Sequence, residues 1–334
     1  MAKEYFLKRI PKAVKKLNEI LNKQPVVLFM MAKKLAGKGT YTGHLNEATD
    51  NEFVFVTIGD LMREAEAMAN MGLGKALLHD AFREEKFSEA ETAKFLKNIQ
   101  KLDQTMLYPT GYVVRMLTAL LQEIAEENPG KSLVIDGLPR NVEQIKDAIA
   151  LAKKYEKDGM KYFFVEIDCP DSVLEARVVN RRICPVCRTS RNVTLLLTPE
   201  IEYDKKNKEF ILICDNPMCK RTKMEKKAGD ELGLAPLAER QALTERMMAA
   251  VRKKVPASKH ILVHNCVAVE DAKKHDPKDF TEEATLTWDE KSGKVIREFS
   301  PWVVKDNEGC DSYSRYSEPV AADLIVELVK KLSK

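Results

Sequence analysis

Five short apolar runs rich in β-forming residues punctuate the chain: VVLFMM (26–31), FVFVTI (53–58), SLVID (132–136), YFFVEID (162–168) and HILVHNC (260–266). Each is apolar at successive positions rather than at alternate ones. That pattern suits strands covered on both faces, and the segments between them carry helical periodicity. The alternation predicts an α/β fold built on a parallel sheet. Ligands of such sheets bind beyond the carboxyl ends of the strands. The first three runs end in AGKGT, TIGDLMR and DGLPR.

The flanking segments add to this frame. Near the N-terminus Ile10, Val14, Leu17 and Leu21 form one helical stripe among lysines. Glu4 and Glu19 set it apart from a transit peptide, so a packing helix is expected over 1–23. EPVAADLIVELVKKL at the C-terminus places Val320, Leu324, Leu328 and Leu332 on another stripe. Residues 61–108 read as helical. Residues 183–227 hold two β-like runs, NVTLLL and EFILIC, and 267–316 contains a hairpin pattern around Lys291-Ser292-Gly293. No internal repeat is visible.

Composition narrows the function classes. The 334 residues are 44% hydrophobic and 32% charged with a net charge of +4, an ordinary globular balance that gives no argument for nucleic acid or an anionic membrane. No apolar run has the length of a membrane span. No secretory signal is seen, so a cytoplasmic protein is expected, and its seven cysteines are not assumed to form disulfides. Four of them fall together. Cys184-x-x-Cys187 and Cys214-x-x-x-x-Cys219 flank a predicted ribbon, the arrangement of a closed, structural tetrahedral Zn2+ site.

The loop sequences suggest anion chemistry, and each also has a plain structural reading. In LAGKGT a strand, a glycine turn and a helix start would turn backbone N–H groups toward phosphate. Lys38 would add charge, and Thr40 a hydroxyl for Mg2+. Yet Ala32 and Leu35 stand where such loops carry glycine, and a helix start with a surface lysine fits equally. In VIDGLPRNVEQ, Asp136 at a strand end suits water-mediated Mg2+ and Arg140 a bidentate anion contact. Asn141 and Gln144 also match a helix cap. Thr57 and Asp60 fit a capping box, while Arg63 on the first turn opposes the helix dipole unless an anion binds there. Arg177 and Arg181 are read one turn apart on a helix starting at a Ser172/Glu175 cap pair. They are either a clamp for a polyanion or a solvated basic face.

Taken in order, AGKGTYT, TIGDLMREAEA, MGLGKAL, DGLPRNVEQ, CPDSVLEARVVNRRICPVC and EPVAADLIVELVKKL resemble the adenylate kinase family, of the nucleoside monophosphate kinase group within the P-loop kinases. The resemblance covers most of the core and implies a five-stranded parallel sheet flanked by helices. It adds a nucleoside monophosphate (NMP)-binding helical insertion and a small zinc-ribbon-like lid. On this template 1–23 is an N-terminal extension, and 24–56, 106–182 and 229–334 form the core. Residues 57–105 are the NMP-binding insertion, enlarged by roughly 77–108. Residues 183–228 are the lid and 267–316 an insertion within the core.

The resemblance implies Mg2+-dependent phosphoryl transfer from ATP to AMP, giving two ADP. Ala36, Gly37, Lys38, Gly39 and Thr40 would cradle the donor phosphates. Arg177 and Arg181 would grip the donor and the transferring group. Thr57, Arg63 and Arg140 would hold the acceptor phosphate, with Gly137 and Gln144 at the adenine and Arg240 as the lid arginine. Arg246 is a weaker match, and Asp230 and Glu231 resemble the lid acidic pair. Lys38, Asp136, Arg140, Arg177 and Arg181 would carry catalysis. Partners would be nucleotides, without nucleic acid or membrane, and the chain a monomer. Rival expectations are another acceptor (CMP, UMP or dAMP), a nucleotide-binding protein that has lost turnover, and a zinc-ribbon nucleic-acid binder. The chain departs from the family at Ala32, Leu35 and Ile58, in its cysteine spacing and in its extra segments.

Overall fold

The computed structural model describes residues 2–71, 90, 97, 116–118, 120–121, 124, 126–227 and 229–334. The five apolar runs form strands β1 (Val26–Met31), β2 (Phe53–Thr57), β3 (Ser132–Asp136), β4 (Lys161–Asp168) and β5 (His260–His264). They make one parallel sheet in the order β2-β3-β1-β4-β5. β1 is central and wholly buried, as its unbroken apolar sequence requires.

The side chains of β1 divide between two cores by the two-residue period of a strand. Val26, Leu28 and Met30 face one layer. It contains Val14 and Leu17 of α2 (Pro11–Leu21), Leu45 of α3 (Lys38–Ala48), Val173 of α6 (Asp171–Val179) and Leu324 of α8 (Ser317–Leu332). Val27, Phe29 and Met31 face the other. That layer contains Met62 of α4 (Ile58–Asn70), Ile145 and Ala148 of α5 (Ile145–Lys157), and Met247 and Val251 of α7 (Ala238–Lys254). Each fully buried side chain of this size contributes roughly 1.5–3 kcal/mol.

Some sequence expectations are corrected here. The N-terminal stripe is two helices, α1 (Ala2–Arg9) and α2, because Pro11 cannot continue a helix from α1 and instead opens α2. Val14, Leu17 and Leu21 still face the core. NVTLLL is a turn, since Asn192 Oδ1 accepts from the amides of Thr194 and Leu195 (2.9 and 3.0 Å). The partner of Glu209–Leu212 in EFILIC is Ile201–Asp204, which the reading missed. The helical expectation over 61–108 is met by α4 as far as Asn70. The rest of it, including MGLGKAL beyond Met71, lies almost wholly outside the described residues.

The 267–316 segment follows β5. Its hairpin pairs Glu282–Asp289 with Lys294–Pro301 around Gly293, as its turn sequence predicts. It does not hang free. Ala284 N donates to Thr194 O (2.7 Å), Arg297 donates to Pro199 O (2.5 Å), and Trp288 stacks on Tyr203 at 5.0 Å. The hairpin is thus laid against the cysteine-bearing segment. On its other side α1 meets the same insertion through Tyr5–Asp279 (2.9 Å) and Arg9–Asp276 (2.5 Å). No helix among the described residues is long and apolar enough to cross a membrane.

Candidate active site

A cleft of about 530 Å³ opens beyond the carboxyl ends of β1 and β3. Its lining includes Ala32, Lys34, Leu35 and Lys38 from the loop after β1, Asp136, Gly137 and Arg140 from the loop after β3, and Arg240 of α7. The sheet register sets the first part of this meeting, because Met30 lies directly beside Asp136 on β3. Lys38 Nζ reaches back to Ala32 O (3.3 Å) and lies 3.7 Å from Asp136 Oδ1. Burial pulls the Lys38 ammonium below its ordinary value; Asp136 opposes this, and Arg140 and Arg240 add to it.

The loop after β1 turns sharply before α3. Leu35 and Gly37 both have positive φ, 74° and 95°, and α3 starts directly after Gly37. Left-handed residues next to a helix start are how a chain turns successive N–H groups inward. A leucine in that conformation costs roughly 1–2 kcal/mol. Neighbouring groups hold it there. Arg177 donates to the carbonyls of Leu35 and Ala36 (3.1 and 3.0 Å), and the buried Gln241 amide bonds both the N–H and the carbonyl of Lys34 (3.1 and 3.3 Å). Lys33 pairs with Asp171 (2.8 Å) and Glu245 (2.5 Å).

The structure therefore separates the two arginines that the sequence stacks together. α6 ends at Val179, Arg181 opens the short strand Arg181–Ile183, and the two residues do not share a helix face. Arg177 is spent on the loop carbonyls, while Arg181 makes a two-pronged bond to the buried Asp230 (2.6 and 2.5 Å). The Ser172/Glu175 cap is also absent. Ser172 Oγ donates to Lys305 O (2.7 Å), and Glu175 accepts from Leu234 N (2.7 Å), because both side chains face neighbouring segments.

On the β2 and β3 side, the Thr57 hydroxyl accepts from Asp60 N at 3.0 Å, as a capping box requires. Arg63 pairs with Asp60. Arg140 lies across two glycines. A Cβ on Gly137 (φ 101°) would stand 2.9 and 3.0 Å from the Arg140 guanidinium. One on Gly59 would stand 3.6 Å from Arg140 and 3.5 Å from Arg63. The two guanidinium groups thus converge over Gly59. Gln144 is buried, with its Oε1 accepting from Arg140 N (2.8 Å), and its own N–H is capped by Asn141 (2.9 Å).

The cysteine segment closes on itself. The sulfurs of Cys184, Cys187, Cys214 and Cys219 all lie within 4.8 Å of one another, with three of these residues buried. The residue after each pair, Arg188 (φ 61°) and Lys220 (φ 47°), is left-handed, so two similar knuckles face each other. Thr189 Oγ1 lies 3.2 Å from Cys187 Sγ and draws that thiol down to about 6. The four sulfurs together form a donor set for one metal ion.

Sequence reasoning missed Lys33, Lys34 and Gln241. The lysine pair was visible in AKKLAG, but the role of Gln241 depends on a contact 207 residues away in sequence.

Comparison with known proteins adds independent weight. No family model matches the chain. It is 27% identical over 193 residues to an adenylate kinase of Hydrogenobaculum, covering 57% of this chain and 72% of that one. It is 27% identical over 196 residues to an adenylate kinase of Mycoplasma mycoides, covering 59% and 71%. An adenylate kinase of Thermotoga neapolitana is 26% identical over 167 residues, covering 50% and 63%.

Proposed function

We propose that this chain, a phosphotransferase of the nucleoside monophosphate kinase family, moves the terminal phosphoryl group of Mg2+-bound ATP onto AMP and releases two ADP. The observation that carries this is the convergence on one cleft of Lys38 and the left-handed loop from β1 with Asp136, Gly137 and Arg140 from β3. Arg63 reaches Arg140 from the neighbouring strand's helix.

Phosphoryl transfer needs little covalent help from a protein. It needs the two oxygens in line and the charge on the transferring group balanced. Here the loop N–H groups and Lys38 would hold the donor phosphates. Arg140 and Arg63 would hold the acceptor phosphate, with Thr57 beside them. Arg240, which lines the cleft, would meet the transferring group, as would Arg181 once released from Asp230. Asp136 presents a part-exposed carboxylate at the cleft. It suits a water-held Mg2+ that enters with ATP and supplies further charge neutralisation. The four cysteines would hold a structural Zn2+ that stiffens the lid and takes no part in transfer.

A second reading keeps the chemistry and changes the acceptor to CMP, UMP or dAMP. It draws on Gln144, whose carbonyl oxygen is already committed to Arg140 N. The test supplies ATP, Mg2+ and each monophosphate in turn and records diphosphate formation. Turnover with AMP that falls at least 100-fold in Lys38→Ala is expected, the size seen when one preorganised charge-stabilising donor is removed. A preference for another monophosphate selects the second reading. ATP binding without product from any acceptor would overturn both.

A further inference from the structure

Two adjacent lysines in the loop sit in opposite electrostatic surroundings. Lys33 is buried, and its ammonium is matched by Asp171 and Glu245 at 2.8 and 2.5 Å. Lys34 has its main chain held at both ends by Gln241, while its side chain stands exposed at the cleft. Its ammonium has no hydrogen bond or ion pair among the described residues. The charges that act on it are mostly positive, from Arg240, Lys227 and Arg181. The one carboxylate among them, Asp230, has both oxygens taken by Arg181. Partial desolvation and these like charges push the Lys34 ammonium below its ordinary value.

The Lys34 backbone is fixed by two bonds from a buried side chain, and Lys38 and Arg140 line the same space. Cationic side chains lining one cleft suit an anion of several charges.

We propose that Lys34 is a further phosphate-binding residue of this cleft, its ammonium meeting phosphate oxygens of the bound nucleoside triphosphate, and that Gln241 is the positioning residue that roots it. The proposal rests on the kinase reading for the identity of the ligand. It requires only that the ligand carry a polyphosphate.

The experiment measures ATP and adenosine affinities by calorimetry, together with kcat, KM and melting temperature, for the intact chain and for Lys34→Met and Lys34→Arg. Lys34→Met is expected to weaken ATP binding roughly 10–100-fold, the range of a hydrogen bond to a charged group, while leaving adenosine affinity and melting temperature unchanged. Lys34→Arg should recover most of the loss. In a Gln241→Leu background, Lys34→Met should cost less than about threefold, because the ammonium no longer has a fixed root. If Gln241→Leu does not fold, the two Lys34 variants alone decide.

ATP binding within twofold of the parent in Lys34→Met overturns the proposal, as does an equal loss for adenosine. A parent chain inert with every monophosphate, whose ATP affinity still falls in Lys34→Met, upholds the phosphate contact and sinks the kinase reading instead.

Discussion

Arg140 shows how much a single side chain depends on what its neighbours lack. Its guanidinium occupies the space where Gly137 would carry a Cβ, and Gly137 itself sits at φ 101°. Gly137→Ala should therefore cost roughly 1–2 kcal/mol in backbone strain and also displace Arg140. The expected outcome is at least a tenfold fall in kcat/KM for the monophosphate, with ATP affinity within threefold of the parent. Equal losses for both nucleotides would show that Arg140 does not belong to the acceptor side. At this scale the place of DGLPR was legible, since a buried apolar strand followed by Asp-Gly puts these residues at the strand's carboxyl end. The fate of Arg177 and Arg181 was not. Helical spacing puts them on one face only if the helix continues, and it stops at Val179.

Among the elements, the least legible feature is the hairpin laid on the cysteine segment. Its turn was readable from Lys291-Ser292-Gly293. Its docking depends on Trp288 meeting Tyr203, and no local pattern encodes that. The consequence is mechanical. The cysteine segment, the lid of the proposed kinase, would then be tied to the inserted hairpin by Ala284–Thr194, Arg297–Pro199 and the aromatic stack. Trp288→Ala removes the stack, worth about 0.5–1.5 kcal/mol beyond the area it buries. Amide exchange over Ile201–Asp204 and Glu209–Leu212 should then quicken at least fivefold, with exchange in β1 unchanged. Unaltered exchange in those two strands would show that the hairpin does not restrain the lid. By contrast, the five core strands were legible almost to the residue; β1, β3 and β4 are buried on both faces, as continuous apolar sequence suits, whereas the edge strands β2 and β5 leave Phe55 and Leu262 exposed.

For the whole molecule, the central sheet, the cleft at its carboxyl edge and the four-cysteine cluster form a frame whose parts are tested separately. Elemental analysis should find about one Zn2+ per chain, and Cys214→Ser should lose it and lower the melting temperature by several degrees. Metal content unchanged in that variant would contradict the site. The sequence sets the terminal and inserted segments apart from the five-strand pattern but carries no local signal of what they contact. α1 pairs with the insertion through Asp276 and Asp279, across 267 and 274 residues of sequence. The central claim is that one cleft takes two nucleotides with their phosphates meeting between Lys38 and Arg140. The affinity of two adenosines joined by a five-phosphate bridge tests it most directly. One molecule should bind per chain, at least 100-fold tighter than ATP, and the gain should vanish in Arg140→Ala. Binding no tighter than that of ATP alone would contradict it.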